Sequence, residues 1–558
     1  MNSRPDLLEC GDSSPLLAGE KRQYIDALPP IKSGDESPHS KKPESSSGRL
    51  PQLTLALGLV LLLGVSILFR VLALDRYPGI NGDEAWYGVQ VKEFLTGGHY
   101  LLKTPSGLVL NPAYSGLLLI LQAIWPAPSF WILRLPALLS GLLLVGLTYP
   151  LIRRTLGPTI ALVCTLLVAS LPILIAFSRF GWDLSQSGLI TLVCLYFLLR
   201  RNWLGLCLAG MVALLVHPVH LFLAPLFLGP EAATWMAAFL RRPAAEKRKM
   251  LLLVLALAVL GVLGLGLGLY LAPGKLGPLI HHGWERLTDL AGWRFWFVLF
   301  GRFLSGITVY RYITGPLPET TVLLHDAVFW TLSLSLLAGG GWVLVRQKRW
   351  RDLGIIGGTG ASLLALYLVA GPVALLPDFE RYAMFLAVPS CLCLAILVDA
   401  LAVTRAARRI LQSAALLTAC LLLVSFGEHY FRPLQETGGR SHPAFRTGRV
   451  EPKQAAFDTI RAHIPPGASV RIMAEDWWTY WPIRYLAAGH PEIQVVSLEN
   501  PCPLDDELAR PGSDFRFVVG FAGGPLEDAC KDKATVLQRW TIRDNAGSPV
   551  LFVWELAP

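Results

Sequence analysis

From residue 53 onward the chain alternates long apolar runs with short clusters of basic residues. Each run is about 20 residues long, which is what a helix needs to cross the hydrocarbon core of a bilayer. The first run covers 53–74, followed by 132–152, 158–177 and 184–199. The stretch 203–240 is too long for one helix, and His217-Pro218 offers a break, so it reads as two spans. Runs at 250–271, 327–345, 353–370, 382–403 and 410–426 bring the total to about eleven. One apolar stretch, 112–125, is only about 14 residues long, too short to span, and reads as a helix lying on the membrane surface.

The two ends of the chain lack this pattern. Residues 1–50 are rich in Ser, Pro and mixed charge with no sustained apolar period, so they read as a disordered tail rather than a signal peptide. Residues 431–558 read as soluble. An amphipathic helix at 452–464 leads to strands in "SVRIMAE", "IQVVSL", "FRFVVGFA", "VLQRWTI" and "VLFVWEL", with a helix at "TYWPIRYLAAG". The fold class expected is a mostly α polytopic membrane protein with a small C-terminal soluble α/β domain. Its parts are the tail 1–50, a transmembrane module 51–430 and the domain 431–558.

Composition agrees: 53% of the 558 residues are hydrophobic, only 16% are charged, and the mean hydropathy is +0.49. The net charge of +9 calls for no nucleic-acid partner, because the basic residues sit in the short loops that encode orientation. With 112–125 on the outer surface, Arg153-Arg154, Arg200-Arg201 and the basic clusters at 241–249, 346–351 and 405–409 all fall in the cytoplasm with Lys41-Lys42. If that stretch crossed, every cluster after it would fall outside. The expected location is therefore the plasma (inner) membrane, multi-pass, with the N-terminus cytoplasmic and the C-terminal domain extracytoplasmic. Cys502 and Cys530, the two cysteines of that domain, are placed for a bridge in an oxidising compartment. The other seven show no metal-ligand spacing.

The same topology gathers the reactive charges on the outer rim. Asp83-Glu84 follows the first span, Asp183 the third, and Arg381 precedes the tenth. No span centre carries a carboxylate or a lysine, which disfavours a proton-coupled pump or ion transporter and favours chemistry at the membrane surface. His217, His220 and His281-His282 have no spacing that fixes a metal site. The aromatic stretch "WERLTDLAGWRFWFVLFGRF" reads as interfacial or as the border of a lipid groove, and "EDWWTYWPIRY" as domain core or docking surface, or else as a platform for stacking a sugar.

The order of "NGDEAWYGVQVKEFLTGGHYLL", "NPAYSGLLLILQAIW", "WILRLPALLSGLLLVGLTYPLIRRTLG", "LPILIAFSRFGWD" and "FERYAMFLAVP" resembles the GT-C superfamily of membrane glycosyltransferases. It is most similar to the branch of protein O-mannosyltransferases and aminoarabinose–lipid A transferases. The resemblance covers roughly residues 53–426. It departs at Leu110-Asn111-Pro112, where the aminoarabinose transferases carry Lys-Pro-Pro. It implies an enzyme moving a sugar from a polyprenyl-phosphate donor to a hydroxyl of a lipid, glycan or protein acceptor at the bilayer rim, with or without a divalent metal. Such a donor already has an anionic leaving group, so the site needs a base for the acceptor and cations for the phosphate.

On that reading Asp83 is the base, and Glu84 orients the acceptor or tunes Asp83. Asp183 is a second acid on the acceptor or metal side, or else a helix cap. Arg381 holds the lipid phosphate, or else snorkels at the interface. Lys103 and Arg179 are further phosphate candidates or plain loop charges. The alternative class is a non-catalytic partner or transporter of lipid-linked glycans built on the same scaffold.

Overall fold

The computed structural model describes residues 49–99, 103–244, 246–248, 252, 273–438, 451–498, 507 and 512–557. The expected disordered tail, the expected span at 250–271 and Cys502 lie outside them. By compactness the chain divides into Met1–Gln52 and Leu53–Pro558.

The second unit is mostly helical. Six of its described helices are long and apolar enough to cross a membrane: Phe130–Leu156, Pro218–Arg241, Glu319–Arg346, Trp350–Ala370, Glu380–Leu401 and Arg405–Glu436. Shorter apolar helices include Leu57–Val71, Pro158–Ser170, Asp183–Leu199 and Trp203–Val216. Proline places the breaks. Leu171, before Pro172, is extended at ψ 119°, so helix Pro158–Ser170 stops and Pro172–Phe177 starts afresh. His217, before Pro218, is likewise extended, and a 3-10 turn Pro218–Leu223 follows. The stretch 203–240 thus breaks at His217-Pro218.

Small residues let the helices close up. Gly229 lies against the backbone of Gly354 and Gly358, where a Cβ would overlap the Gly354 carbonyl oxygen. This is the close approach typical of small-residue contacts between apolar helices.

The helix Pro112–Ile124 has 13 residues, a length of about 20 Å. Tyr114 and Leu118 are buried, while Ile120 and Ile124 are exposed, so one apolar face packs against the protein and the other is exposed. The stretch after residue 272 forms helices Pro273–Thr288, Leu290–Ser305 and Ile307–Ile313. Its aromatic residues are split: Trp296 and Phe303 are buried, Trp284 and Phe297 exposed.

The C-terminal region carries a five-stranded sheet of order β2-β1-β3-β5-β4, with β1 Val470–Ala474, β2 Ile493–Ser497, β3 Phe515–Phe521, β4 Val536–Arg543 and β5 Pro549–Leu556. β1 runs parallel to β2 and β3, while β5 is antiparallel to β3 and β4. Side chains alternate across the sheet. Ile472, Phe517 and Val553 pack one face with Phe457 and Ile483, and Met473, Val518 and Trp554 pack the other. The helix Trp477–Ala487 lies between this sheet and the helix Gly82–Leu95. Tyr485 bonds both the amide and the carbonyl of Ser129 at 3.1 Å. Arg484 pairs with Glu93, and Lys453 donates to the Ile80 carbonyl. These contacts fix the sheet over the segment that carries Asp83.

Candidate active site

The acidic pair begins the helix Gly82–Leu95. Asn81 caps it, its side-chain oxygen accepting from the Glu84 amide at 2.8 Å. Acids in a first turn are favoured by the helix dipole, so the local sequence builds a rigid platform for both. Their directions diverge. Asp83 faces a cavity of about 230 Å³ and Glu84 is buried behind it.

That cavity collects residues from distant parts of the chain. Asp183 enters from the 3-10 turn Asp183–Gln186, and Arg381 from the turn Glu380–Leu386. Trp182, Tyr382 and Trp477 supply aromatic walls, and the loop around Thr104–Leu108 borders the opening. Asn111 caps the Pro112–Ile124 helix, accepting from Ala113 and Tyr114. Its amide nitrogen donates to Gln186 Oε1 at 2.9 Å, tying that helix to the Asp183 turn.

Both carboxyls that line the cavity are shifted by their surroundings. Burial pushes the Asp83 carboxyl above its ordinary value, with Arg381 and the Trp477 N–H pulling it back and Asp378 and Glu84 adding to the rise. Burial also pushes Asp183 up to about 6, against hydrogen bonds from the Leu184 amide and the Tyr87 hydroxyl. The Asp83 charge adds to the rise at Asp183. Arg381 is held in a fixed orientation. Nη1 pairs with Asp378 at 2.7 Å, and the guanidinium lies over Trp182 at 4.6 Å and Tyr382 at 5.1 Å. A planar cation stacked on rings presents its fork in one direction.

The structure places the other three candidates elsewhere. Glu84 pairs with Arg134 and accepts from the Gly181 amide at 2.8 Å. Arg179 is buried and bonds the carbonyls of Phe69, Leu72 and Tyr77 at 2.6, 2.8 and 2.8 Å. It thereby satisfies the Phe69 and Leu72 carbonyls at the end of helix Arg49–Val71 and ties that end to Tyr77. Lys103 is exposed at the base of a small loop closed by the Lys103–Val109 bridge, and it does not line the cavity.

Sequence reasoning missed Trp477, whose Nε1 donates to Asp83 Oδ1 at 3.0 Å, and Tyr87. The density of aromatics in "EDWWTYW" was the available signal. Nothing in it says that the indole reaches the acidic pair some 394 positions away.

Among the described residues no group of three or more His, Cys, Asp or Glu could hold a metal ion.

No protein-family model matches the chain, and no curated protein matches it. Among solved structures it is similar to ArnT from Cupriavidus metallidurans bound to undecaprenyl phosphate. The TM-score is 0.48 at 15% identity, over 91% of this chain and 98% of that one. It is also similar to the archaeal oligosaccharyltransferase AglB from Archaeoglobus fulgidus, in complex with an inhibitory peptide and a dolichol-phosphate. Here the TM-score is 0.46 at 14% identity, over 90% of this chain and 74% of that one.

Proposed function

We propose that this protein is an integral-membrane glycosyltransferase that moves a sugar from a polyprenyl-phosphate donor to an acceptor hydroxyl on the extracytoplasmic face. The observation that carries the reading is the single cavity lined by Asp83, Asp183 and Arg381. Three charged groups from three segments, each preceding or following an apolar run, meet in one small, aromatic-walled space. The order of sequence elements that resembles the GT-C superfamily supports it independently.

In the proposed reaction Arg381 holds the donor phosphate. The acceptor hydroxyl gives its proton to Asp83, and its oxygen forms a bond to the sugar's C1 as the C1–O bond to phosphate breaks. The electron pair leaves with the phosphate, whose charge Arg381 balances. Attack from the face opposite the phosphate inverts the anomeric centre. Asp183, with a carboxyl pushed up to about 6, orients the acceptor or shares its proton. Glu84 and Arg179 are assigned structural posts, and Lys103 none in the chemistry.

The membrane reading is completed by about eleven spans, a cytoplasmic N-terminus, and 431–558 as an extracytoplasmic module. The test is transfer of labelled sugar from purified polyprenyl-phosphate donors by the full chain in nanodiscs, with anomeric configuration read by NMR. Retention of configuration would exclude direct displacement. A protein that binds polyprenyl phosphate yet transfers from no donor would instead support a non-catalytic role.

A further inference from the structure

The C-terminal region reaches into the cavity itself. β1 ends at Ala474, and Asp476 then caps the next helix, accepting from the amides of Trp478 and Thr479 at 3.0 Å each. Trp477, the first residue of that helix, projects into the cavity and donates its indole N–H to Asp83 Oδ1 at 3.0 Å. Trp481 packs edge-on against it at 5.3 Å. Across the interface sits Gly82. A Cβ there would overlap the Trp477 ring and its carbonyl oxygen, so glycine is what lets the two segments meet at this distance. Arg484–Glu93 and the Lys453 bond to Ile80 lock the same interface on either side.

We propose that the C-terminal region is a working part of the active site, presenting Trp477 as a positioning residue that holds the Asp83 carboxylate aimed into the cavity. The proposal rests on the reading of Asp83 as the base. The physical grounds are direct. An N–H donor bonds an ionised carboxylate more strongly than a protonated one, so it favours the form that accepts a proton. A donor on a capped helix at the end of a sheet strand also has little freedom, so it fixes the carboxylate's rotamer as well. The chemistry of the helical part then depends on how the sheet is docked.

The test uses Trp477→Phe, which keeps an aromatic ring at the position and removes the N–H, in the full chain in nanodiscs. Asp83 is followed without activity, through its carboxyl infrared band, isolated as the difference from Asp83→Asn. The band should half-titrate about one pH unit higher in Trp477→Phe than in the wild type. The acid limb of the transfer-rate profile should move with it, with kcat down about threefold at a pH midway between the two midpoints and about tenfold well below both, and KM for the donor nearly unchanged.

Gly82→Ala forces the indole away by a different route. It should give the same shift, and no further shift when combined with Trp477→Phe. This also serves if either single variant folds poorly. An Asp83 band that titrates alike in wild type and both variants overturns the proposal, as does a shifted band with an unshifted rate profile. If the wild type transfers no sugar from any donor, the functional reading fails, while the infrared result still decides whether Trp477 governs Asp83.

Discussion

Arg134 grips Glu84 through two nitrogens, Nη2 at 2.6 Å and Nε at 3.1 Å, with both side chains essentially out of contact with solvent. The remaining nitrogen, Nη1, donates to the Leu74 carbonyl at 2.7 Å, and Glu84 accepts from Gly181. One ion pair thus joins the end of the first helix, the acidic platform, helix Phe130–Leu156 and the loop leading to Asp183. The second acid of the pair is a strut for the first.

Removing one side of a buried pair strands the other charge, at a cost of about 3–5 kcal/mol. Arg134→Ala should therefore sharply reduce folded, monodisperse protein. Glu84→Gln should lower the melting temperature by less, since the amide still accepts from Gly181 and leaves one buried cation rather than a carboxylate. The double change Glu84→Gln with Arg134→Met should be more stable than Arg134→Ala alone. Size-exclusion chromatography and thermal unfolding in detergent decide it. Equal stability of Arg134→Ala and wild type would mean that the pair holds nothing together.

Asp83→Asn keeps the shape and the bond from Trp477 but removes the proton acceptor. Transfer should fall by about 10²–10⁴-fold while polyprenyl-phosphate binding stays near the wild-type level. A turnover assay beside a binding assay separates the two. Normal turnover would move the base to Asp183.

Asp183 carries a cost that reveals its role. Its carboxyl is pushed up to about 6 by burial, above its unfolded value of about 4. The folded state therefore holds that proton more tightly, and stability is lost as pH rises from about 4 through about 6. Asp183→Asn removes the penalty. It should raise the melting temperature at pH 8, and the gain should shrink as pH falls through 6 and vanish below 4. Transfer by the variant should be impaired throughout. A stability gain independent of pH would show that Asp183 does not titrate as its surroundings imply.

Much of this architecture is legible in the chain because it follows from short-range rules. Apolar length finds the long helices, His217-Pro218 offers the break in 203–240, and runs of β-branched and aromatic residues find the strands, whereas the run 158–177 that reads as one span is divided at Pro172. Asp83, Asp183 and Arg381 stand out because each is a charge at the edge of an apolar run. What is not legible is which charge is spent on the backbone. Arg179 lies four positions from Asp183 and looks equally exposed in sequence, yet it closes the end of the first helix. Glu84 differs from Asp83 by one residue, and a helix turns consecutive side chains about 100° apart. That rotation sends one to the cavity and the other to Arg134. Trp477 is hidden for another reason. Its role depends on docking between segments remote in sequence, for which no local pattern speaks.

Arg381 supplies the last test, because its geometry separates charge from shape. Its guanidinium is stacked over Trp182 and Tyr382 and paired with Asp378, so one edge is braced while the group lines the cavity beside Asp83. A phosphate bound there gains a forked, oriented donor as well as a positive charge. Arg381→Lys keeps the charge but loses the fork and the stacking. Arg381→Ala loses all three and leaves Asp378 without its partner. Affinity for polyprenyl phosphate should fall about tenfold or more in the lysine variant and further in the alanine variant. Asp378→Asn should have a smaller effect, since it loosens Arg381 without removing it. The measurement is titration of polyprenyl phosphate into nanodisc-held protein, with intrinsic tryptophan fluorescence as the signal, since Trp182 lies under the guanidinium. Donor affinity unchanged in both arginine variants, with folding intact, would remove Arg381 from the phosphate site.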